Sequence, residues 1–311
     1  MAATTLPTGR RRRMSRMRLR ENLDAYIFLA PWLIGFIVLT AGPMLGSLGL
    51  ALSSWDMINP PRLLGLANFS TMLNDDVFWT SLYNTAYYTF IGVPVFLISA
   101  LAAAIALNQR LRFINYYRTI VYLPSVTPVV ASAFLWQWIF NPDFGLANAG
   151  LQALGLPPSN WIWDPQTVKP SLILMGIWGI GPQMVILLAG LQNVPEQLLE
   201  AANVDGAGAW SRFRHITIPM LSPTLFFCLV VQIIGSFQIF TIVYIMTNEG
   251  GPANASLMYV MYLYQVAWES LRMGYASALA WILFAIVLVI TVIQIRLANR
   301  WVYYEGQEMR G

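Results

Sequence analysis

Few residues in this chain are equipped for covalent or acid–base chemistry. Among 311 residues, His215 is the only histidine, Cys228 the only cysteine and Lys169 the only lysine. A phosphate loop of the form Gly-x-x-x-x-Gly-Lys-Ser/Thr needs its lysine to reach the phosphates of a nucleotide. Lys169 stands in Thr167-Val168-Lys169-Pro170, outside any such frame, so this chain does not bind ATP by that route. One histidine and one cysteine do not build a His/Cys metal site or a Cys–His dyad, and a lone cysteine permits no internal disulfide. Cys228 reads as a small buried apolar residue. His215 follows Arg214 and reads as an ordinary helix end rather than a proton switch.

One charged segment is patterned. Residues 192–218 place Glu200, Ala201 and Ala202 together, then Asp205 and Gly206, Arg212, and finally Ile216, Ile218 and Pro219. Asn193 is suited to cap a helix with Pro195 and Glu196 in its first turn. Leu198, Leu199 and Ala202 then share one face. Gly206 and Gly208 end that helix in a sharp turn. A second short helix, from Trp210 to His215, leads to Pro219. Such a helix–turn–helix suits a docking surface, with Ala201 and Ala202 small enough for close approach. A helical hairpin lying on a bilayer has the same pattern.

The elements that position this loop follow from composition. The chain is 57% hydrophobic and only 10% charged, against roughly 25% charged in soluble domains. A water-soluble enzyme and a disordered chain are both excluded on that ground. Six apolar segments, at about 26–52, 81–107, 119–140, 171–191, 220–246 and 275–297, are free of Asp, Glu, Lys and Arg until Arg296. A charge at the bilayer centre costs at least ~2.5–3.5 kcal/mol, so these runs predict membrane-spanning helices. The first is too long for a cleavable signal and is read as a retained helix.

Arginine sets the predicted orientation. Arg10, Arg11, Arg12, Arg13, Arg16, Arg18 and Arg20 precede the first segment; Arg110, Arg112, Arg118, Arg212, Arg214, Arg296, Arg300 and Arg310 fall on the same side by alternation. Only Arg62, Lys169 and Arg272 fall on the other side. Both termini are therefore expected in the cytoplasm, and the basic tail reads as a topology signal and lipid contact, not a nucleic-acid patch. The expected organisation is an Arg-rich tail over 1–25, a six-helix domain over 26–300 and a second tail over 301–311. Aromatic residues such as Trp55, Trp79, Trp161, Trp163, Tyr259 and Trp268 in the external loops read as interfacial anchors or loop packing.

Three segments are irregular. The third carries Pro124 and Pro128, the fourth Gly179, Gly181 and Pro182, and the fifth begins with Pro219 and Pro223. Proline removes a backbone donor and bends a helix, and broken backbone at membrane depth belongs where it is buried or lines a wet cavity. Trp178 and Gln183 flank the break in the fourth. Gln232 and Ser236 are i,i+4 on the fifth with Gly235 beside them, while Gln238 and Thr241 lie on other faces. Each polar group also suits an ordinary interhelical hydrogen bond.

The spacing Glu200-Ala201-Ala202, Gly206, Ile216-x-Ile218-Pro219 resembles the "EAA" loop of ABC importer permeases. Ile218 replaces the family's usual leucine. Val194-Pro195-Glu196-Gln197-Leu198 and Asn248-Glu249-Gly250-Gly251-Pro252 resemble the carbohydrate branch, the maltose and glycerol-phosphate importer type. The resemblance runs from about 26 to 300. It implies an all-α membrane protein of type I ABC importer fold in a prokaryotic plasma (inner) membrane. It also implies four partners: a second homologous permease, two ATPase subunits that bind the ATP and Mg, an extracellular or periplasmic solute-binding protein, and a sugar or sugar-like solute. Glu200, Ala201, Ala202 and Gly206 would form the coupling helix seated on an ATPase, with Asp205 and Arg212 as polar contacts and Ile216 and Pro219 completing the motif. The related sugar site points to 176–183 and 232–240, hence to Trp178, Gln183, Gln232, Gly235, Ser236 and Gln238. An ion-coupled secondary transporter would place ionisable residues at depth, an intramembrane hydrolase would need a catalytic pair there, and a non-catalytic scaffold leaves the loop unexplained.

Overall fold

The computed structural model describes residues 16–109, 112–248 and 250–303. Arg10 to Arg13, Arg110, Glu249 and Arg310, used above for charge and motif, lie outside them. The chain divides into two compact units, with the boundary after Leu50.

The first unit is one helical rod. Helix α1 (Arg16–Phe36) passes through a π turn at Ile37–Ala41 into α2 (Gly42–Ala51). Pro43 supplies no N–H, so the ladder slips by one residue just before it. The stretch Asn22–Ala51 is long and apolar enough to cross a membrane. Its aromatic and aliphatic side chains, among them Phe28, Trp32 and Leu39, are exposed.

The second unit opens with a minimal antiparallel hairpin, β1 (Ser53–Ser54) and β2 (Arg62–Leu63), and a short α3 (Ala67–Leu73). The central element is α4 (Asp76–Leu107), packed against α8, α9, α12 and α14. The Asp75 carboxylate caps it, accepting from the N–H groups of Val77 at 3.0 Å and Phe78 at 3.4 Å. Gly92, Phe96, Ala100 and Ala104 form a buried stripe along it at four-residue spacing, in which the glycine and the two alanines are small enough to let helices approach closely in lipid. At its other end Arg118 donates to the carbonyl of Leu107 at 2.9 Å.

The third segment is α5 (Ile114–Tyr122), a 3₁₀ turn at Leu123–Val126 and α6 (Val129–Ile139), bent by 99°. The extended backbone of Thr127 precedes Pro128, as the residue before a proline requires. After α7 (Leu146–Ala153), the fourth segment is α8 (Val168–Trp178) and α9 (Gly181–Gln192), bent by 52° at Gly179–Ile180. It starts three residues before the predicted 171, so Lys169 sits inside the first turn of α8 rather than in the loop. Helices α10 (Glu196–Val204) and α11 (Ala209–Arg212) follow.

Two local predictions fail here. Asn193 closes α9 instead of opening α10, and Pro195 precedes α10 without a side-chain cap. There is also no separate helix at 210–215. Helix α11 runs through a π turn at Phe213–Thr217 into α12 (Ile218–Phe237), one continuous stretch, Ala209–Phe237, long enough to span a membrane. The wider turn absorbs the missing donor of Pro219.

The fifth segment does not continue to 246. It stops at Gln238 and restarts as α13 (Thr241–Met246), packed against α6. Then come α14 (Tyr259–Tyr264) and α15 (Met273–Ala298). Four helices are thus long and apolar enough to cross a membrane, and six segments are if each bent pair is one crossing. Of the predicted loop aromatics, Trp79, Trp163 and Trp268 are exposed, while Trp161 and Tyr259 pack. Trp161 stacks on Phe140 at 4.9 Å, and Tyr259 is fully buried with its hydroxyl donating to the carbonyl of Leu279 at 2.8 Å.

Candidate functional site

Three interrupted segments meet at one place. The break at Thr127 between α5 and α6, the break at Gly179 between α8 and α9, and Ile239 between α12 and α13 all line a cavity of about 300 Å³. Tyr88 of α4 and Trp178 also line it. A second cavity, about 340 Å³, adjoins it and shares Tyr88, Gly176, Gly179 and Ile239. Among the described residues no Asp, Glu, Lys or Arg lines either cavity.

The second cavity gathers Gln183 from α9 with Gln232, Gly235 and Ser236 from α12. The i,i+4 spacing of Gln232 and Ser236 therefore does present one face. The Oε1 atoms of Gln183 and Gln232 are buried and have no hydrogen-bond partner among the described residues. A buried acceptor left unpaired costs about 1–3 kcal/mol, so such atoms mark a place where a donor is expected to bind. Trp178 stands at the first cavity in a T-shaped contact with Trp136, 6.0 Å between ring centroids. Gln238 is the exception. It is exposed, closes α12 and lines neither cavity, because the helix ends there instead of carrying its side chain past the bundle. Thr241 likewise opens α13 rather than lying on the fifth helix.

Sequence reasoning missed the contribution of α4. Tyr88 and Phe96 line the second cavity, and Phe96 packs against glycine: a Cβ on Gly176 would lie 2.4 Å from its ring. The signal was present in Asn84, Thr85, Tyr88 and Thr89, a polar stripe at helical spacing inside an apolar segment. It lay outside the two stretches that the resemblance singled out.

The loop at 192–218 stands apart from these cavities. Helix α10 carries Glu200, Ala201 and Ala202, has no buried residue and leaves Leu198 and Val204 exposed. Its end is a Schellman turn: the N–H of Ala207 donates to the carbonyl of Ala202 at 2.9 Å and that of Gly206 to Asn203 at 3.1 Å. Asp205 closes the helix, and Gly206 takes φ +77°, the left-handed conformation that favours glycine. Arg212 ends α11, Ile216 lies in the π turn and Pro219 in the first turn of α12. His215 is exposed, its Nδ1 lying 2.9 Å from the Ser211 carbonyl oxygen. The continuous helix that starts at Ala209 beside this loop reaches Gln232 and Ser236 at the cavity.

Residues 95–303 match the family described as the binding-protein-dependent transport system inner membrane component. The chain is 43% identical to the probable ABC transporter permease protein YesP of Bacillus subtilis, covering 94% of this chain and 96% of that protein. It is 34% identical to the arabinooligosaccharides transport system permease protein AraP of the same organism, covering 88% of each. It is 32% identical to the trehalose/maltose transport system permease protein MalF of Thermococcus litoralis, covering 92% and 97%. Its fold matches a chain of the bacterial alginate ABC transporter crystallised with an alginate-bound periplasmic protein, with a TM-score of 0.79 at 23% identity over 91% of this chain and 96% of that one.

Proposed function

This chain belongs to the binding-protein-dependent transport system inner membrane component family, and from that premise we propose that it is one half of the membrane path of an ATP-driven saccharide importer. The relatives are permease subunits of sugar ABC transporters, and the chain is a multi-pass membrane protein of type I importer fold.

The observation that carries the substrate class is the pair of adjoining cavities at the three helix breaks. A neutral saccharide offers hydroxyl donors and apolar ring faces. Unpaired amide oxygens at Gln183 and Gln232, the Ser236 hydroxyl and the rings of Tyr88 and Trp178 complement it. Among the described residues no carboxylate lines the cavities to carry a coupling proton, which weighs against a proton-driven carrier.

The proposed division of labour follows. ATP and Mg are bound by two partner ATPases, a second homologous permease completes the path, and an external solute-binding protein delivers the sugar. The arginine-rich ends and the 192–218 loop face the cytoplasm. Exposed α10, with Glu200, Ala201 and Ala202, docks in an ATPase cleft, and Asp205 and Arg212 supply polar contacts at its rim. Ala209–Phe237 spans about 43 Å as a helix, so displacement of its cytoplasmic end is carried to Gln232 and Ser236 at the cavity. ATP drives that displacement only by binding the closed ATPase dimer more tightly than the open one.

The test is co-purification of the tagged chain with its partners, followed by reconstitution into proteoliposomes. Uptake of maltose, lactose or arabinotriose that needs ATP and binding protein, and survives collapse of ion gradients by ionophores, supports the reading. Uptake abolished by ionophore with ATP present overturns it.

A further inference from the structure

We propose that the end of this chain opposite the 192–218 loop carries a second saccharide subsite, a reception pocket that holds one sugar ring before it enters the central cavities. The proposal rests on the saccharide reading above.

The pocket has a volume of about 240 Å³ and is built from Gln137 of α6, Trp163 ahead of α8, Met246 at the end of α13, and Thr247, Asn248 and Gly251 after it. Among the described residues no Asp, Glu, Lys or Arg lines it. An exposed indole face beside two primary amides suits a neutral ring with several hydroxyls: the indole covers the apolar face and each amide offers a donor and an acceptor.

Its wall is held by an unusual local structure. Asn248, Gly250, Gly251, Ala253 and Asn254 all have positive φ. Such backbone costs energy at the non-glycine positions and persists only where surrounding groups fix it. Those groups are visible. Asn84 of α4 donates to the carbonyls of Asn254 at 2.8 Å and Leu257 at 3.1 Å, and the only lysine, Lys169, donates to Asn84 Oδ1 at 3.0 Å and to the Ala255 carbonyl at 3.3 Å. The ammonium also lies 5.3 Å from the ring centre of Tyr83 and 5.5 Å from that of Tyr87. Lys169 and Asn84 are thus positioning residues, shaping the pocket without touching its contents.

Two packed helices, α6 and α13, each line both this pocket and the first central cavity. Met246 lies one turn beyond Ile242 on α13, and Gln137 five residues beyond Ser132 on α6; Ile242 and Ser132 line the first central cavity. At 1.5 Å per residue the sites are separated by about 6–8 Å along each helix, roughly the length of one sugar ring.

The experiment uses the reconstituted complex with Trp163→Ala, Trp163→Phe and Gln137→Cys variants and maltose, lactose and arabinotriose as probes. In Gln137→Cys, a membrane-impermeant maleimide added outside reports pocket occupancy. The expected result is at least fivefold slower labelling in the presence of a transported saccharide and no slowing by mannitol. Trp163→Ala is expected to lower saccharide molecules moved per ATP about tenfold, and Trp163→Phe to restore the ratio to within twofold. Normal uptake with labelling indifferent to every saccharide, or Trp163→Phe as impaired as Trp163→Ala, overturns the subsite and leaves the importer reading standing. A complex that takes up none of the three saccharides overturns the saccharide reading, and the subsite with it.

Discussion

Lys169 and Asn84 are 85 residues apart in the chain and joined by a 3.0 Å hydrogen bond from ammonium to amide oxygen. The contact ties the first turn of α8 to α4, and through both of them to the 254–257 backbone. Removing the charge by Lys169→Met leaves the Ala255 carbonyl and the Asn84 amide without their donor. A hydrogen bond to a charged group contributes about 1.5–3 kcal/mol. The variant is expected to unfold at lower temperature in detergent and to exchange amide hydrogens faster at 254–257, while Lys169→Arg keeps part of the protection. Equal exchange in all three proteins would remove the positioning role.

Gln183→Leu and Gln232→Leu separate transport from stability. Each removes a buried oxygen that has no hydrogen-bond partner among the described residues. A purely structural amide would destabilise the protein on removal. An amide kept for substrate is expected to lower saccharide uptake about tenfold, the loss of one hydrogen bond of about 1.4 kcal/mol, with thermal stability equal or higher. Ser236→Leu is expected to reduce uptake by added bulk in the same cavity. Thermal melts and uptake measured on the same preparations check both halves.

Gly206→Val tests the docking turn. The glycine has φ +77°, and a Cβ there meets no neighbouring atom within 4 Å, so the cost is backbone strain alone, about 1–2 kcal/mol. The end of α10 is expected to fray, and recovery of ATPase subunits with the tagged chain to fall severalfold while the membrane segments stay folded. Full recovery together with full transport would count against the docking role.

Asp75 gives a pH prediction. Burial acts to raise its pKa, but hydrogen bonds from the Tyr262 and Tyr275 hydroxyls and the N–H groups of Val77 and Phe78 outweigh it, and the net shift is below the ordinary 3.8. Burial, aided by the hydrogen bond to Asp75, pushes the Tyr262 hydroxyl up to about 12, so it stays protonated and donating at neutral pH. A lowered carboxylate pKa stabilises the fold above the unfolded value near 4 and loses that contribution as pH falls through the folded value. Wild-type stability should therefore drop below about pH 4, and Asp75→Asn should flatten that part of the profile. Unfolding temperature measured against pH for both proteins decides it.

The sequence by itself determined the class of protein, the apolar segments and two of the three places where they break, at Thr127–Pro128 and Gly179–Pro182, but not the one at Ile239. Charge scarcity, proline and glycine act locally, and their cost in lipid is paid segment by segment. The turn after α10 was equally legible, because its spacing is contiguous and Gly206 serves a conformation other residues resist. Only the tertiary structure decided what the breaks are for. The extended backbone at Thr127, the bend at Gly179 and the gap at Ile239 are far apart in sequence and become one cavity only when α4 packs against α8, α9 and α12. That packing also turned Lys169 from a loop charge into a staple, and excluded Gln238 by ending α12 one residue before it. These outcomes depend on which helices touch, a long-range matter that no window of residues contains.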